Sequence, residues 1–411
     1  MNKATQHSRY ATLPKTRGQI FIFFMVFMNA GIFASTSSNP FGVKGASELV
    51  VLISTLFSFY YLWHQISRKG AVSKIDFTVF SLIWSAFLYS ALAAQIRFGQ
   101  PFVYGLIEER RILYFMIYFP LTWGIRQRVI SIEQLFDWII ATALICGMLS
   151  ILVYLGAITP LNIREIGANS IRGDRFGIGS AYIALASLIL LFEITKYKRW
   201  LLLPQLLLLV AVLVMVIQTR QILIALLISS VILLGTIRFA IWSAFATGMF
   251  AMTVANSSVA YNLFVKYQTL LLQLSSTEYL EASARALTTN SIVGEISKGA
   301  WFGSGALSYL WNGGFARLYG ENFFLTDVGI VGSAYKFGVM TLIFYGVYFV
   351  TQYKMVRAAK NHSYFRLIVG IWTYLIVILP VAATLEYRGS IAGLLLALSM
   401  GCSNESKRKT L

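Results

Sequence analysis

The chain has 411 residues, of which 57% are apolar and only 12% are charged. With a mean hydropathy of +0.70, this composition excludes an ordinary soluble domain and is typical of a polytopic membrane protein. The net charge of +18 does not indicate nucleic-acid binding, because the basic residues lie in short loops between apolar runs. Cys146 and Cys402 both fall within apolar runs, so we expect neither a disulfide nor a thiolate metal site.

The predicted elements are transmembrane helices, each of which needs about 20 apolar residues. The first apolar run follows Lys15 and Arg17 and has no cleavage pattern after it, so it is predicted to be a membrane helix and not a removable signal peptide. We predict an all-α polytopic protein of about twelve membrane helices. They begin near Gln19, Ser47, Ile75, Tyr104, Gln134, Gly177, Trp200, Gln221, Phe239, Val328, Tyr364 and Gly389.

One long polar interruption divides the chain into three parts. Residues 1–256 are predicted to form an N-terminal bundle of about nine helices, and residues 328–411 the C-terminal membrane helices. Residues 257–327 between them are predicted to form a long extracytoplasmic loop that contains short helices. Because most other loops are only a few residues long, we expect the function to reside in this loop.

The distribution of basic residues predicts the orientation. With the N-terminus inside, the inner segments hold 20 of the 34 lysines and arginines but only five of the 16 acidic residues. Positive charge accumulates on the cytoplasmic side of membrane proteins, so both termini are predicted to be cytoplasmic.

The predicted outer side favours arginine strongly over lysine. Since guanidinium is a planar, permanently charged fork suited to phosphate and carboxylate oxygens, this preference predicts recognition of an anion. Arg110 and Arg111 are expected to serve mainly as structural ion-pairing groups. The outer arginines are Arg97, Arg110, Arg111, Arg164, Arg172, Arg175, Arg220, Arg285, Arg317 and Arg388.

Each candidate also has a simpler structural interpretation. Arg172 and Arg175 could form a local turn with Asp174, and Arg220 could reach the outer headgroups. Arg285 could pair with Glu281, and Arg317 with Glu321. Asp327 could cap the helix that follows it. The glycines between Gly294 and Gly314 could expose N–H groups to an oxyanion or simply make turns.

Part of the chain resembles a known family. Thr219-Arg220-Gln221 followed by an apolar span, an arginine before Gly303-Ser304-Gly305, and Glu321-Asn322 ahead of the next span resemble the O-antigen polymerase and ligase superfamily, best over about 215–350. The resemblance implies metal-independent glycosyl transfer from a polyprenyl-diphosphate-linked glycan at the outer face of the bacterial plasma (inner) membrane. It implies no cofactor.

The same resemblance implies roles for individual residues. Arg220 and Arg285 match the family's arginines, and Glu321 stands where ligases have a catalytic histidine. The three histidines, His7, His64 and His362, all lie toward the predicted cytoplasmic face, so the polymerase branch is favoured over the ligase branch. Our hypothesis assigns the donor diphosphate to Arg220, Arg285, Arg172, Arg175 and Arg317, and the general base to Glu321, with Asp327 as second choice.

The sequence therefore predicts a polymerase that joins lipid-linked oligosaccharide units into a surface polysaccharide. Its expected partners are the polyprenyl-diphosphate-linked oligosaccharide, the lipid bilayer, and a chain-length regulator and a flippase. The alternatives are a ligase that transfers finished glycan, and a transporter or flippase for lipid-linked oligosaccharide. A transporter predicts charged residues facing a cavity within the spans. In the sequence such charges are few and lie near span ends (Asp76, Glu193 and Lys336).

Overall fold

A computed structural model describes residues 15–33, 43, 45–158, 177–235, 284–320, 323–383 and 385–409. Within these ranges the secondary structure is helical and contains no strand. The α-helices are α1 (Lys15–Asn29), α2 (Ala46–Lys69), α3 (Lys74–Phe98), α4 (Phe102–Glu109), α5 (Tyr118–Arg126), α6 (Ile132–Tyr154), α7 (Ser180–Tyr197), α8 (Leu203–Val212), α9 (Arg220–Leu234), α10 (Ala284–Ser297), α11 (Gly314–Tyr319), α12 (Gly329–Phe337), α13 (Met340–Ala358), α14 (Phe365–Ile378) and α15 (Gly389–Lys409).

The helices fit a membrane protein. In the described ranges, five are long and apolar enough to cross a membrane: Glu48–Arg68, Lys74–Phe98, Ile132–Tyr154, Ser180–Tyr197 and Trp200–Ile217. Two shorter apolar helices are Arg220–Leu234 and Phe365–Ile378. The all-helical prediction is confirmed for the described residues. The total of twelve spans, the division into three parts and the side on which the long loop lies stay predictions. The span predicted near Phe239 is outside the described residues.

Two of the predicted spans are broken helices. The fourth comprises α4, a 3-10 segment at Arg110–Ile117, and α5. The tenth comprises α12 and α13, interrupted at Gly338, which has φ +56° and C-caps α12. A side chain at Gly338 would collide with the backbone of Trp301 and Gly303, so the break also makes room for a segment of the long loop.

The two ends of the bundle can be named by the ends of α3, and we call them the Asp76 end and the Arg97 end. Asp76 is fully buried and accepts hydrogen bonds from Gln65 Nε2 at 2.8 Å, Tyr118 Oη at 2.6 Å and Arg126 Nη1 at 2.6 Å. Because a buried carboxylate is costly unless paired and hydrogen-bonded, this cluster ties α2, α3 and α5 together.

Helix α7 is the central helix of the described bundle. Of its 18 residues, 67% are buried by the rest of the protein, compared with 28% of the residues of Trp200–Ile217. It packs on α6, α8, α9 and α14. The Trp200–Ile217 segment instead presents leucines outward, and Leu201 is 93% exposed. An apolar helix with this exposure is suited to lie at the lipid-facing edge of the bundle.

Close packing positions the start of α15 against the 3-10 segment. Gly389 and Gly393 face Phe115, and a Cβ at Gly393 would lie 2.6 Å from the Phe115 carbonyl oxygen. Small residues one helical turn apart allow this backbone approach, as they do in other membrane helix pairs. The contact brings the residues just before α15 next to Arg110 and Arg111.

We therefore expect Gly393→Ala to lower the thermal unfolding temperature in uncharged detergent, corresponding to a loss of about 1–3 kcal/mol from overpacking. Gly346→Ala is the matched control, because Gly346 lies inside α13 and a Cβ added there would meet nothing within 4 Å. Alanine favours helix over glycine, so this control should unfold at the same or a higher temperature. Equal unfolding temperatures for the two variants would contradict the packing argument.

Candidate functional site

A cavity of about 580 Å³ opens at the Arg97 end of the bundle, and we call it the arginine cavity. It lies where several helices begin or end. Its lining residues are Met28, Asn29, Ala30, Gly31, Gly45, Glu48, Val51, Arg110, Arg111, Tyr114, Gly177, Gly179, Ser180, Ala181, Tyr182, Glu386, Tyr387, Arg388, Gly389 and Ser390. The volume is in the range of small-molecule sites.

The three arginines among the described lining residues have different surroundings. Arg110 is neutralised by Glu48, whose Oε1 lies 3.0 Å from Nη2 and 3.1 Å from Nε. This agrees with the structural role predicted for Arg110, whereas the ion pair predicted for Arg111 is not seen among the described residues. Within the described residues, Arg111 and Arg388 form no ion pair with a carboxylate. Arg388 Nε is buried and has no hydrogen-bond partner there. These two guanidinium groups are available to an anion.

Two helix N-termini add positive potential to the same cavity. Helix α7 begins at Ser180, after Gly179 in the left-handed region, and α15 begins at Gly389. The first N–H groups of a helix have no partner inside the helix and favour an anionic group nearby. With Arg111 and Arg388, they make the cavity suitable for phosphate or diphosphate oxygens.

A carboxylate lines the cavity beside these cations. Glu386, in the turn before α15, is only 2% exposed and accepts a hydrogen bond from Ser333 Oγ at 3.3 Å through Oε2. Its other oxygen lies 3.6 Å from Lys336 Nζ and has no hydrogen-bond partner among the described residues. Burial raises the pKa of the Glu386 carboxyl to about 7. Such a group can accept a proton near neutral pH.

Behind Glu386 lies a buried ionic cluster that joins three parts of the chain. Lys336 of α12 is 3.0 Å from Glu109 Oε2 at the end of α4, and Ser90 of α3 donates to the same oxygen at 3.0 Å. The Tyr387 ring lies near both Lys336 Nζ, at 5.5 Å, and Arg111 Cζ, at 5.7 Å. One aromatic ring thus connects the buried cluster with the cavity.

The long loop holds Lys336 in place through its backbone. Ser304 N–H donates to the Tyr335 carbonyl at 2.7 Å, Gly305 N–H to the Lys336 carbonyl at 3.0 Å, and Ala306 N–H to the Ser90 carbonyl at 3.3 Å. These N–H groups are therefore committed to backbone carbonyls. Of the two interpretations of this glycine-rich stretch, the structure favours backbone packing over oxyanion binding.

The residues predicted from sequence are placed in different ways. Arg220 begins α9. Arg285 of α10 donates to the side chain of Gln221, the residue after Arg220. With the Gln221 amide turned so that its oxygen faces Arg285, this oxygen lies 2.8 Å from Arg285 Nη1. Arg317 on α11 and Asp327 in a 3-10 turn are exposed. The N-cap of α12 is Val328, so Asp327 does not cap that helix.

Arg172, Arg175 and Glu321 lie outside the described residues. Arg220 and Arg285 are thus brought together, at the same end of the bundle as the arginine cavity, because α9 runs parallel to α7. The described residues do not connect Arg317 or Asp327 with this pair.

Described parts of the long loop also contact the Arg97 end of the bundle. Arg97 Nη2 is 2.8 Å from Glu295 Oε2, and Tyr89 Oη donates to the Phe302 carbonyl at 2.6 Å.

Sequence reasoning did not single out Glu386, and it named Arg388 only as one of many outer arginines. The available signal was the short stretch Glu386-Tyr387-Arg388 directly before an apolar helix, which is a common pattern at a membrane boundary. Lys336 was predicted to lie near a span end. It is fully surrounded by protein, with 5% exposure, because the helix break at Gly338 places the end of α12 inside the bundle.

No protein-family model and no curated protein matches this chain. Among the described residues, no group of three or more histidine, cysteine or acidic side chains is arranged to hold a metal ion.

We expect Lys336→Met to destabilise the protein by about 3–5 kcal/mol, because it leaves two buried carboxylates without their cation. Thermal unfolding in uncharged detergent measures the loss. Lys298→Met removes an exposed lysine, 73% exposed, and should have little effect. The triple variant Lys336→Met/Glu109→Gln/Glu386→Gln should regain part of the loss. An unfolding temperature for Lys336→Met equal to that of Lys298→Met would show that the cluster does not hold the fold together.

Proposed function

We propose that this protein is a membrane polysaccharide polymerase that joins polyprenyl-diphosphate-linked oligosaccharide units at the outer face of the bacterial plasma membrane. The observation that carries the proposal is the arginine cavity. There, two guanidinium groups that have no carboxylate partner among the described residues, together with two helix N-termini, lie beside the buried carboxylate of Glu386, which is paired with Lys336. The charge-based orientation assigns this end to the outside. The resemblance around residues 215–350 supports the same function.

The cations would hold the diphosphate of the lipid-linked donor. Arg111 and Arg388 carry this role in the cavity, and the Arg220–Arg285 pair is a second arginine group at the same end of the bundle. As the bond from the anomeric carbon to the diphosphate breaks, negative charge develops on the leaving oxygen. Fixed positive donors at that oxygen lower the barrier without a metal.

A base is needed to remove the proton from the attacking sugar hydroxyl. Glu386 is assigned this role, since it lines the cavity that holds the arginines and Lys336 lies beside its carboxylate at 3.6 Å. The hydroxyl proton passes to the carboxylate, the hydroxyl oxygen forms the new bond to the anomeric carbon, and polyprenyl diphosphate leaves with the bonding electrons. Glu321 and Asp327, the bases proposed from sequence, are the competing assignments.

Glu386→Gln should lower the rate of chain growth roughly 100-fold or more, because the amide cannot accept the proton. The measurement is the profile of lipid-linked glycans in a deletion strain that expresses each variant: single units should accumulate and polymer should disappear. Glu108→Gln removes a carboxylate near the end of α4 that does not line the cavity, and it should leave the polymer unchanged. If Glu386→Gln makes normal polymer and Glu321→Gln makes none, Glu321 and not Glu386 is the general base.

The same assignment predicts the pH dependence. With a pKa raised to about 7, Glu386 is largely protonated below that pH and cannot act as a base. Polymerisation by the purified protein in detergent or vesicles should therefore rise as the pH increases through about 7. A rate that stays flat between pH 5 and pH 8 would exclude Glu386 as the base.

Arginine variants separate substrate binding from membrane anchoring. Arg388→Lys keeps the charge but loses the planar fork, so it should retain only part of the activity, and Arg388→Ala should lose most of it. Arg220 is compared in the same way. If Arg220→Lys and Arg220→Ala both support normal polymer, Arg220 serves only to reach the lipid headgroups.

One observation favours a second function, a transporter or flippase for the lipid-linked oligosaccharide. Lys336, Glu109 and Glu386 are charges inside the helix bundle, and Glu386 reaches a cavity, which is the pattern expected of a transport pathway. The deletion strain discriminates the functions. Single units on the outer face indicate a polymerase, long unattached polymer indicates a ligase, and single units confined to the inner face indicate a transporter.

A further inference from the structure

A second cavity, of about 520 Å³, opens at the opposite end of α7, and we call it the basic cleft. It lies between the C-terminal ends of α7 and α9, the turn before α14 and the start of α14. Its lining residues are Phe192, Thr195, Lys196, Lys198, Leu233, Leu234, Lys360, His362, Ser363, Phe365 and Arg366. Ser180, at the other end of α7, lines the arginine cavity, so the two cavities are separated by roughly 20–25 Å of helix.

The described residues that line the basic cleft include four permanent cations and no carboxylate. Within the described residues, Lys196, Lys198, Lys360 and Arg366 form no ion pair. The neighbouring acids have partners of their own, one of which, His362, also lines the cleft. Glu193 Oε2 is 3.0 Å from Arg199 Nη1, Glu133 accepts from Tyr364 Oη at 2.9 Å, and Glu405 lies 3.1 Å from His362 Nε2. The cleft therefore presents four cations that have no carboxylate within ion-pair distance among the described residues.

One of the lysines is fixed in orientation. The Lys196 ammonium donates to the Ser363 carbonyl oxygen and lies 5.0 Å from the centre of the Phe192 ring and 5.8 Å from that of Tyr364. These contacts connect α7 with the turn before α14. Because the charged group is already ordered, a ligand would lose less conformational entropy when it binds there.

The inner wall of the cleft is apolar. Phe192 and Leu234 are buried, and Leu233 and Phe365 continue the same surface. A cavity with a cationic rim and an apolar wall between membrane helices matches a ligand that has an anionic head and a hydrocarbon part. Lysines bind phosphate as compact charges, and three of the four cations here are lysines.

We propose that the basic cleft binds the phosphate group of an anionic phospholipid. The charge-based orientation assigns this end to the cytoplasmic leaflet, where basic pockets between membrane helices meet anionic headgroups. The site is independent of the proposed glycosyl transfer, since its residues are shared with neither the arginine cavity nor the buried cluster.

The test uses the full chain, purified in an uncharged detergent, and follows the thermal unfolding temperature during titration. The probes are short-chain phosphatidylglycerol, short-chain phosphatidylcholine and inorganic phosphate. We expect saturable stabilisation by phosphatidylglycerol, which weakens as salt is raised, and none by phosphatidylcholine. If inorganic phosphate stabilises the protein with the same affinity as the lipid, the cleft is a phosphate site whose ligand is a dissolved phosphate compound and not a phospholipid.

Lys360→Gln/Arg366→Gln should weaken phosphatidylglycerol binding roughly tenfold or more, because each basic residue near an anionic surface contributes measurably to affinity. Lys354→Gln/Arg357→Gln is the matched control: it removes one lysine and one arginine from exposed positions on α13 that do not line the cleft. It should change affinity less than twofold. Lys198→Gln is a milder cleft variant in case the double variant does not fold.

Equal losses in the two double variants would overturn the proposal, because they would show general surface attraction and no defined site. Equal stabilisation by phosphatidylglycerol and phosphatidylcholine would also overturn it. The polymerisation assay distinguishes this site from the catalytic one. If Glu386→Gln abolishes polymerisation but leaves lipid binding unchanged, the two sites act independently of each other.

Discussion

The structure depends on one electrostatic constraint: a lysine inside an apolar bundle must be surrounded by carboxylates. Lys336 meets this constraint with Glu109 at 3.0 Å and Glu386 at 3.6 Å. The three residues come from α12, the end of α4 and the turn before α15, so one set of charges fixes three distant parts of the chain. Separating any of the three residues would leave a buried charge without a partner. This would lower the stability of the fold by about 3–5 kcal/mol.

That constraint also places the candidate chemistry. Glu386 faces Lys336 on one side and the arginine cavity on the other, and Tyr387 lies between Lys336 and Arg111. The turn that carries Glu386 and Arg388 is positioned by the glycine contact of α15 with the 3-10 segment. A carboxylate and an arginine two residues apart are therefore held at one cavity by both packing and charge.

Much of the helical architecture could be predicted from sequence, because hydropathy over about 20 residues is a local property. The predicted starts near Ser47, Ile75 and Trp200 lie within one residue of α2, α3 and the 3-10 turn that precedes α8. The cavity could not be predicted in this way. Glu109, Lys336 and Glu386 are far apart in sequence, and the break at Gly338 depends on a loop packed against it. Arg285 contacts Gln221, the residue after Arg220, and the shared role of the two arginines stays a prediction.

Helix α7 has a consequence for mutational tolerance. Both of its ends line cavities, and most of its surface is enclosed by other helices, while the Trp200–Ile217 segment is largely uncovered. Interchange among leucine, isoleucine and valine should be accepted along the uncovered segment, where only apolarity matters. Along α7 the permitted volume at each position is set by four neighbouring helices, so sequence drift there requires compensating changes in its neighbours.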